Sequence, residues 1–382
     1  MPKYKFSEIA FNITDKKMPK PGDEELYIGL EHLDSGSLRV TRWGSEVELV
    51  GQKLVMQKGD ILFGRRNTYL RRAAIAPHDG IFSAHGMIFR PNTNVIDPDY
   101  FPFFISSDYF MDAAIRISVG SLSPTVNWKT LKELEFYLPD LNQQRHTAEL
   151  LSAANETKEA YQDLLLKTDE LVKSQFIELF GDKGYPEKRL SEVCVKITDG
   201  THKTPNYQDT GITFISAKNI VEGKLDFSDV KHICESEYQE IQKRCRTERG
   251  DILLAKSGSL GMTALVETDE PLGLFESLAV LKYDRALLNG VFLCRQMQSD
   301  IVQRQLMLNV KGVAVKHLHL NVIGSTKVII PPLDLQEQFC IFAQQLDKSK
   351  YVYRQLTHFL DNLIKYELQS LIMEECICSP KM

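Results

Sequence analysis

The chain has 382 residues, 43% of them hydrophobic and 25% charged, with a formal net charge of −5. That length suggests two or three domains with adequate cores, and the acidic balance excludes a protein that grips nucleic acid through a wholesale basic surface. No apolar run approaches the roughly 20 residues of a membrane span, and the start MPKYKFSEIAF lacks a signal peptide's apolar stretch, so a cytoplasmic chain is expected.

Taken in order, the chain repeats itself. FSEIAFNITD (Phe6 to Asp15) returns as LSEVCVKITD (Leu190 to Asp199), and YIGLEHLDSGSL (Tyr27 to Leu38) as FISAKNIVEGKL (Phe214 to Leu225). KGDILFGRRNTYLRRAAIA (Lys58 to Ala76) returns as RGDILLAKSGSLGMTALVE (Arg249 to Glu267). Short apolar strands run into Gly turns at Gly36 or Gly223, and Gly-Asp makes a tight turn before Ile-Leu starts the next strand. Helical patterns follow near Tyr100 to Ile117 and Val291 to Leu308, and Gly120 to Leu138 matches Gly312 to Ile330. Strands mixed with helices make each unit α+β, and so long a period marks a duplicated domain rather than a solenoid.

Each unit is followed by a long stretch free of Gly and Pro, from Asp140 to Phe180 and from Asp334 to Met373. Asp140 with Gln143, and Asp334 with Glu337, read as N-caps with a reciprocal partner three residues on. In the second stretch Phe342, Leu346, Tyr353, Leu356, Leu360, Leu363 and Leu371 lie on an apolar seam; in the first, Leu150, Tyr161, Leu164, Leu171 and Leu179 do. At about 1.5 Å per residue each helix is roughly 55 to 60 Å long, a strut rather than an internal core helix. Gly181 and Pro186 stop the first. The expected layout is a unit over 1–139, a helix over 140–181, a second unit over 182–332 and a second helix over 333–375. If the first helix runs from one unit towards the next, the second runs back, giving an antiparallel coiled coil with a pseudo-two-fold axis.

The basic loop after the first Gly-Asp turn carries Arg65, Arg66, Asn67, Tyr69, Arg71 and Arg72. Guanidinium forks suit phosphates and guanine edges, Asn suits adenine, and Tyr packs on sugar or base; a solvated charged hairpin is the competing reading. The second unit offers Lys256, Ser257 and Ser259 at the equivalent loop, with Lys311, Lys316 and His317 as a further candidate and His202 with Lys203 as another. If both loops touch DNA, their different chemistry reads different sequences. The seven cysteines lack paired metal-ligand spacing and read as buried or free thiols, and no metal site is assigned. Neither a nucleotide-binding phosphate loop nor the Asn- or Asp-Pro-Pro-aromatic tetrad of an amino-methyltransferase occurs. The nearest imitation of a nuclease is Asp199 with Glu222-Gly223-Lys224, where a plain turn accounts for the residues better.

The tandem Ser-Glu and Ile-Thr-Asp starts, the KGDIL and RGDIL turns, and the PDLNQQ and PLDLQEQ entries to two long helices together resemble the specificity subunit of type I restriction-modification enzymes. The resemblance covers nearly the whole chain, and the duplicated order carries it rather than any single motif. It implies two tandem target recognition domains, each reading half of a split site on double-stranded DNA. The helices would act as a ruler and as docking surface for two methyltransferase subunits, with restriction subunits as further partners. S-adenosylmethionine, ATP and Mg²⁺ would then belong to those partners, and no catalytic residue to this chain. In one departure from that pattern, the first recognition domain is expected to begin at the chain's start, without a separate conserved segment ahead of it. The rivals are a coiled-coil dimerisation scaffold that does not bind DNA and a free-standing Mg²⁺-dependent nuclease.

Overall fold

The computed structural model describes residues 1–308 and 317–378, with side chains as far as residue 370. The chain divides into two compact units, one made of Met1–Leu164 with Val352–Met382, the other of Leu165–Tyr351.

The strands of the first unit are β1 Lys3–Lys5, β2 Ala10–Ile13, β3 Lys16–Lys17, β4 Tyr27–Ile28, β5 Lys53–Met56, β6 Ile61–Phe63, β7 Ala73–Ile75, β8 Gly80–Phe82, β9 Met87–Pro91 and β10 Glu135–Tyr137. Those of the second are β11 Glu187–Arg189, β12 Cys194–Asp199, β13 Ile212–Ile215, β14 Ile220–Val221, β15 Lys224–Leu225, β16 Lys231–Ile233, β17 Ile252–Ala255, β18 Thr263–Leu265, β19 Leu272–Leu274, β20 Leu278–Tyr283 and β21 Lys327–Ile329. The repeat in sequence is a repeat in topology. A four-stranded antiparallel sheet in the order β2-β9-β6-β7 has its counterpart in β12-β20-β17-β18, and the closing pair β1-β10 in β11-β21. Four helices matter below: α1 Asp108–Arg116, α2 Leu141–Phe180, α3 Glu235–Arg244 and α4 Leu333–Cys378.

The Gly-Asp turns show why this local sequence is used twice. Gly59 and Gly250 hold φ of +90° and +88°, a left-handed conformation that costs glycine nothing. The aspartate that follows is buried in both units. Asp60 accepts the Gln57 N–H at 2.7 Å and pairs with Arg90 of β9 at 2.6 Å. Asp251 accepts the Glu248 N–H at 2.8 Å and pairs with Lys282 of β20 at 2.6 Å. One carboxylate thereby closes the turn and ties it to the neighbouring strand.

Cores follow the same plan. In the first unit Phe6, Phe63, Phe89, Phe110 and Phe136 form one aromatic cluster, joined by Leu151 of α2 and Leu368 of α4. In the second, Phe176 and Phe180 of α2 pack on Phe292 and on Phe339 of α4.

Each helix is anchored by a buried glutamine. Gln144 accepts the Asp97 N–H at 2.7 Å and donates to the carbonyls of Val95 and Pro139. Gln336 accepts the Asn289 N–H at 2.8 Å and donates to those of Leu287 and Pro331. Asp140 is a true N-cap, its Oδ1 accepting from Asn142 N at 2.9 Å and Gln143 N at 3.0 Å, while Gln143 answers its own N–H. The corresponding reading of Asp334 is corrected. Helix α4 starts at Leu333, and the Pro332 carbonyl accepts the Leu335 and Gln336 N–H groups, so Asp334 lies inside the first turn.

Within both units the helices pair antiparallel. In the first, Leu151 shares a core with Leu368, Lys158 pairs with Asp361 at 3.1 Å, and the rings of Tyr161 and Tyr353 stack at 5.8 Å. In the second, Asp169 pairs with Lys350 at 2.5 Å and Phe176 meets Phe339. The apolar seam on α2 needs correcting at three positions: Leu150, Leu164 and Leu171 are 45%, 40% and 48% exposed. The covered stripe is Leu151, Ala154, Lys158, Tyr161, Leu165, Thr168, Val172, Phe176 and Leu179, spaced by steps of three and four. Lys158 and Thr168 interrupt its apolarity, which shifts a reading based on hydropathy onto the adjacent leucines. On α4 Phe342, Leu346, Tyr353, Leu356, Leu360 and Leu363 are half-buried, and the side chain of Leu371 lies outside the described residues. Among the described residues no helix is long and apolar enough to cross a membrane.

Candidate nucleic-acid interface

The first unit's basic loop leaves the end of β6 and returns into β7. Its centre is the single helical turn Thr68–Leu70, flanked by Asn67 (φ 54°) and Arg71 (φ 49°), both left-handed. Asn tolerates that conformation better than most residues, Arg less well. Two ion pairs hold Arg71 in it, to Asp108 at 2.6 Å and to Asp112, both on α1. Arg72 donates to the Leu30 carbonyl at 3.1 Å, and Ser35 to that of Leu70.

A second loop, residues 119–125, is strapped across the first. Asn67 N donates to Pro124 O at 2.8 Å and Val126 N to Arg65 O at 2.9 Å, with a further bridge between Arg66 and Thr125. Side chains add to the strap: Arg66 Nε donates to Ser123 Oγ at 2.9 Å, and Ser123 Oγ to Asn67 Oδ1 at 2.8 Å. Of the six residues expected to form this site, Arg66 and Tyr69 are exposed, and Arg65, Asn67, Arg71 and Arg72 are half-buried. The Nε of Arg65 is buried without a hydrogen-bond partner. Leu122, at the crown of the second loop, is 96% exposed.

In the second unit the same strand end carries different chemistry. Leu318 N donates to Lys256 O at 2.8 Å, as Val126 N does to Arg65 O, so Lys256 stands where Arg65 stands. Lys256, however, is only 2% exposed, and its Nζ lies 2.5 Å from Asp199 Oδ2, itself 3% exposed. Arg244 of α3 takes the other oxygen of Asp199. His202 lies 3.2 Å from Arg244 and 3.2 Å from Glu276. Burial pushes the Asp199 carboxyl up, but Lys256 and then Arg244 outweigh burial and hold it below the usual carboxylate range. The structure therefore places Lys256 inside, with Arg244 and His202 on the surface against its partner and Lys203 exposed.

Ser257 is half-buried and Ser259 exposed, in a loop that Gly258 and Gly261 turn with φ of +70° and +77°. The His317 ring lies 5.5 Å from His319, and burial with the nearby Lys256 charge lowers its pKa. Lys311 and Lys316 lie outside the described residues. Ser123, Asp108, Asp112 and Glu276 escaped sequence reasoning, because each acts only through a partner distant in the chain. Arg244 stands in the sequence among the cations Lys243, Arg246 and Arg249, which no motif ties to Asp199.

The imitation of a nuclease comes apart. Asp199 is saturated by two cations, and Glu222 (φ 51°) with Gly223 (φ 79°) forms the turn of the β14–β15 hairpin. Among the described residues no three His, Cys, Asp or Glu side chains group as metal ligands. Four thiols are pushed up by burial, Cys194, Cys245 and Cys294 to about 12 and Cys340 to about 11, which removes them as nucleophiles.

The family model described as "Type I restriction modification DNA specificity domain" matches residues 13–165 and again 182–356. A type I restriction enzyme specificity subunit of Methanocaldococcus jannaschii, MjaIX, is 26% identical over 298 residues; the match takes in 71% of this chain and 64% of that relative's length. The crystal structure of a type I restriction-modification S subunit from M. genitalium matches with a TM-score of 0.59 at 14% identity, over 100% of this chain and 96% of that one. A structure described for complex assembly and conformational transition of the type I restriction-modification system matches with a TM-score of 0.54 at 16% identity, over 97% of each chain. At those identities the structural matches speak for the fold.

Proposed function

The chain belongs to the type I restriction-modification DNA specificity family, and from that membership we propose that it directs a modification enzyme to a bipartite DNA target. Each unit reads one half of the site on double-stranded DNA. The paired helices set the number of unspecified base pairs between the halves and dock two methyltransferase subunits, with restriction subunits joining them in a complete system. The chain is a non-catalytic cytoplasmic subunit; S-adenosylmethionine, ATP and Mg²⁺ are used by its partners, which also supply much of the phosphate contact that an acidic chain lacks.

The observation that carries this reading is one topology built twice with different chemistry at the same strand end. An Arg-Asn-Tyr loop crowns β6, whereas a buried Lys-Asp pair with surface Arg and His follows β17. Two scaffolds that share one sheet topology and carry unlike tips suit the reading of two unlike half-sites.

Exchange of residues 188–330 for the corresponding segment of a relative tests this. Methylation mapped in cells carrying the methyltransferase partner should change in one half of the target only. A swap that alters both halves together would show that the units do not read independently, and absence of sequence-selective binding by the wild-type complex would overturn the reading itself. Cleavage of DNA by the chain alone with Mg²⁺ would revive the nuclease.

A further inference from the structure

We propose that Ser123 is a positioning residue for DNA readout by the first unit. It aims the Arg66 fork and the Asn67 amide at the acceptor edge of a guanine. This inference rests on the DNA-reading function proposed above and assigns the contact within it.

The hydrogen bonds around Ser123 each have a fixed direction. A guanidinium can only donate, so the 2.9 Å contact from Arg66 Nε makes Ser123 Oγ an acceptor. The single hydroxyl proton of Ser123 then points to Asn67 Oδ1, 2.8 Å away. That proton fixes which way the amide faces, with Nδ2 as a donor turned away from the serine. It also fixes the guanidinium, because with Nε tethered the two terminal nitrogens become a fork of set orientation. What remains is a row of N–H donors on an exposed Arg and a half-buried Asn, with the amide oxygen already occupied on one side.

Such a row is complementary to adjacent acceptors. In the major groove guanine presents N7 and O6 side by side, the pair that a forked guanidinium takes bidentately. Adenine would instead require the amide oxygen to accept from N6, and Ser123 already takes one of that oxygen's two acceptor sites. Tyr69, 55% exposed on the same turn, and Leu122, 96% exposed on the strapping loop, add apolar surface for a neighbouring sugar or base.

The backbone shows that the arrangement is built rather than incidental. Asn67 is kept left-handed, a conformation that costs free energy and recurs where a side chain must be aimed. The Pro124 carbonyl takes its N–H, and the carboxylates of α1 hold Arg71 at the far end of the turn. None of these contacts needs the Ser123 hydroxyl, so removing it should leave the loop in place and free only the two side chains.

The experiment uses the full-length chain assembled with its methyltransferase partner, selecting from a randomised duplex library, together with salt titrations of binding. Ser123→Ala is expected to lose guanine preference at one position of the first unit's half-site by about tenfold or more. The salt slope and the bases read by the second unit should stay unchanged. Ser123→Thr, which keeps the hydroxyl, should restore the preference, and Arg66→Lys, which keeps the charge but not the fork, should reproduce the loss. Loss in both halves or in neither overturns the assignment. So does a fall of about one in the salt slope for Arg66→Ala with every base preference intact, which would give the fork to a phosphate. A wild-type complex without any base preference would instead be the failure of the proposed function.

Discussion

Arg65 and Lys256 occupy one place in the repeat, and what surrounds them decides what each can do. The Lys256 ammonium is buried against Asp199, so breaking that pair should be expensive. Lys256→Met leaves a buried carboxylate with only the exposed Arg244 and His202 beside it, and Asp199→Asn leaves a buried ammonium without its counter-ion. Each should destabilise the second unit by about 3–5 kcal/mol, while replacing both by apolar residues should cost less. Urea unfolding followed in the second unit checks this, and a loss below about 1 kcal/mol for both single variants would show that the pair is not buried in solution. The pH dependence has a definite sign. Because the folded-state pKa of Asp199 lies below its ordinary value of 3.8, the contribution is present above that value. It is lost only as pH falls through the lower folded-state pKa. Thermal stability of wild type relative to the double apolar variant should therefore hold level from about pH 8 to 5 and fall below about pH 4.

At the scale of elements, the glutamine anchors are the most specific feature of the fold. Gln144 and Gln336 are fully buried, and each satisfies one N–H and two carbonyls where strand-rich unit meets helix. Leucine at either position orphans those groups at about 1–3 kcal/mol apiece. Gln144→Leu should lower the melting transition of the first unit and Gln336→Leu that of the second, each by more than an exposed Gln143→Leu change; equal effects from all three would refute the anchoring role. The α+β class, the duplication and both long helices were legible in the sequence, because repeated motifs and uninterrupted helical stretches are properties of the chain itself. The face that α2 turns to its partner was not. Lys158 and Thr168 sit in that face, paired or covered, and hydropathy assigns such residues to solvent, which is how Leu150, Leu164 and Leu171 came to stand in for it. Asp334 misled for a related reason: a carboxylate separated from a proline pair by Leu333 alone looks like a cap until the Pro332 carbonyl is seen closing the turn. The Arg cluster was visible as charge. Its division into a tethered fork at Arg66 and an ion-paired strut at Arg71 depends on Ser123, Asp108 and Asp112, which no local pattern connects to it.

For the whole molecule, the spacer-setting role proposed above rests on the continuity of two helices. Helix α2 passes without interruption through the division at Leu164 and Leu165, and α4 passes through it again at Tyr351 and Val352. Antiparallel pairing means that residues added to one helix must be matched in the other if Lys158 is to keep Asp361 and Asp169 to keep Lys350. Four residues inserted at both points add about 6 Å, and seven add about 10 Å. The inserted turns leave the helix faces only about 40° and 20° out of phase, which paired seams can absorb by twisting. At about 3.4 Å per base pair, the four-residue variant should lengthen the spacer by one or two base pairs and the seven-residue variant by about three. Both half-sites should keep their sequences, read as methylation patterns in cells carrying the methyltransferase partner. Insertion at this division is the cleaner choice, because Phe180 at the end of α2 belongs to the core of the second unit. Methylation that persists at the original spacing in both variants would mean that the separation of the half-sites is set by the partner subunits, and that the helices only hold this chain together.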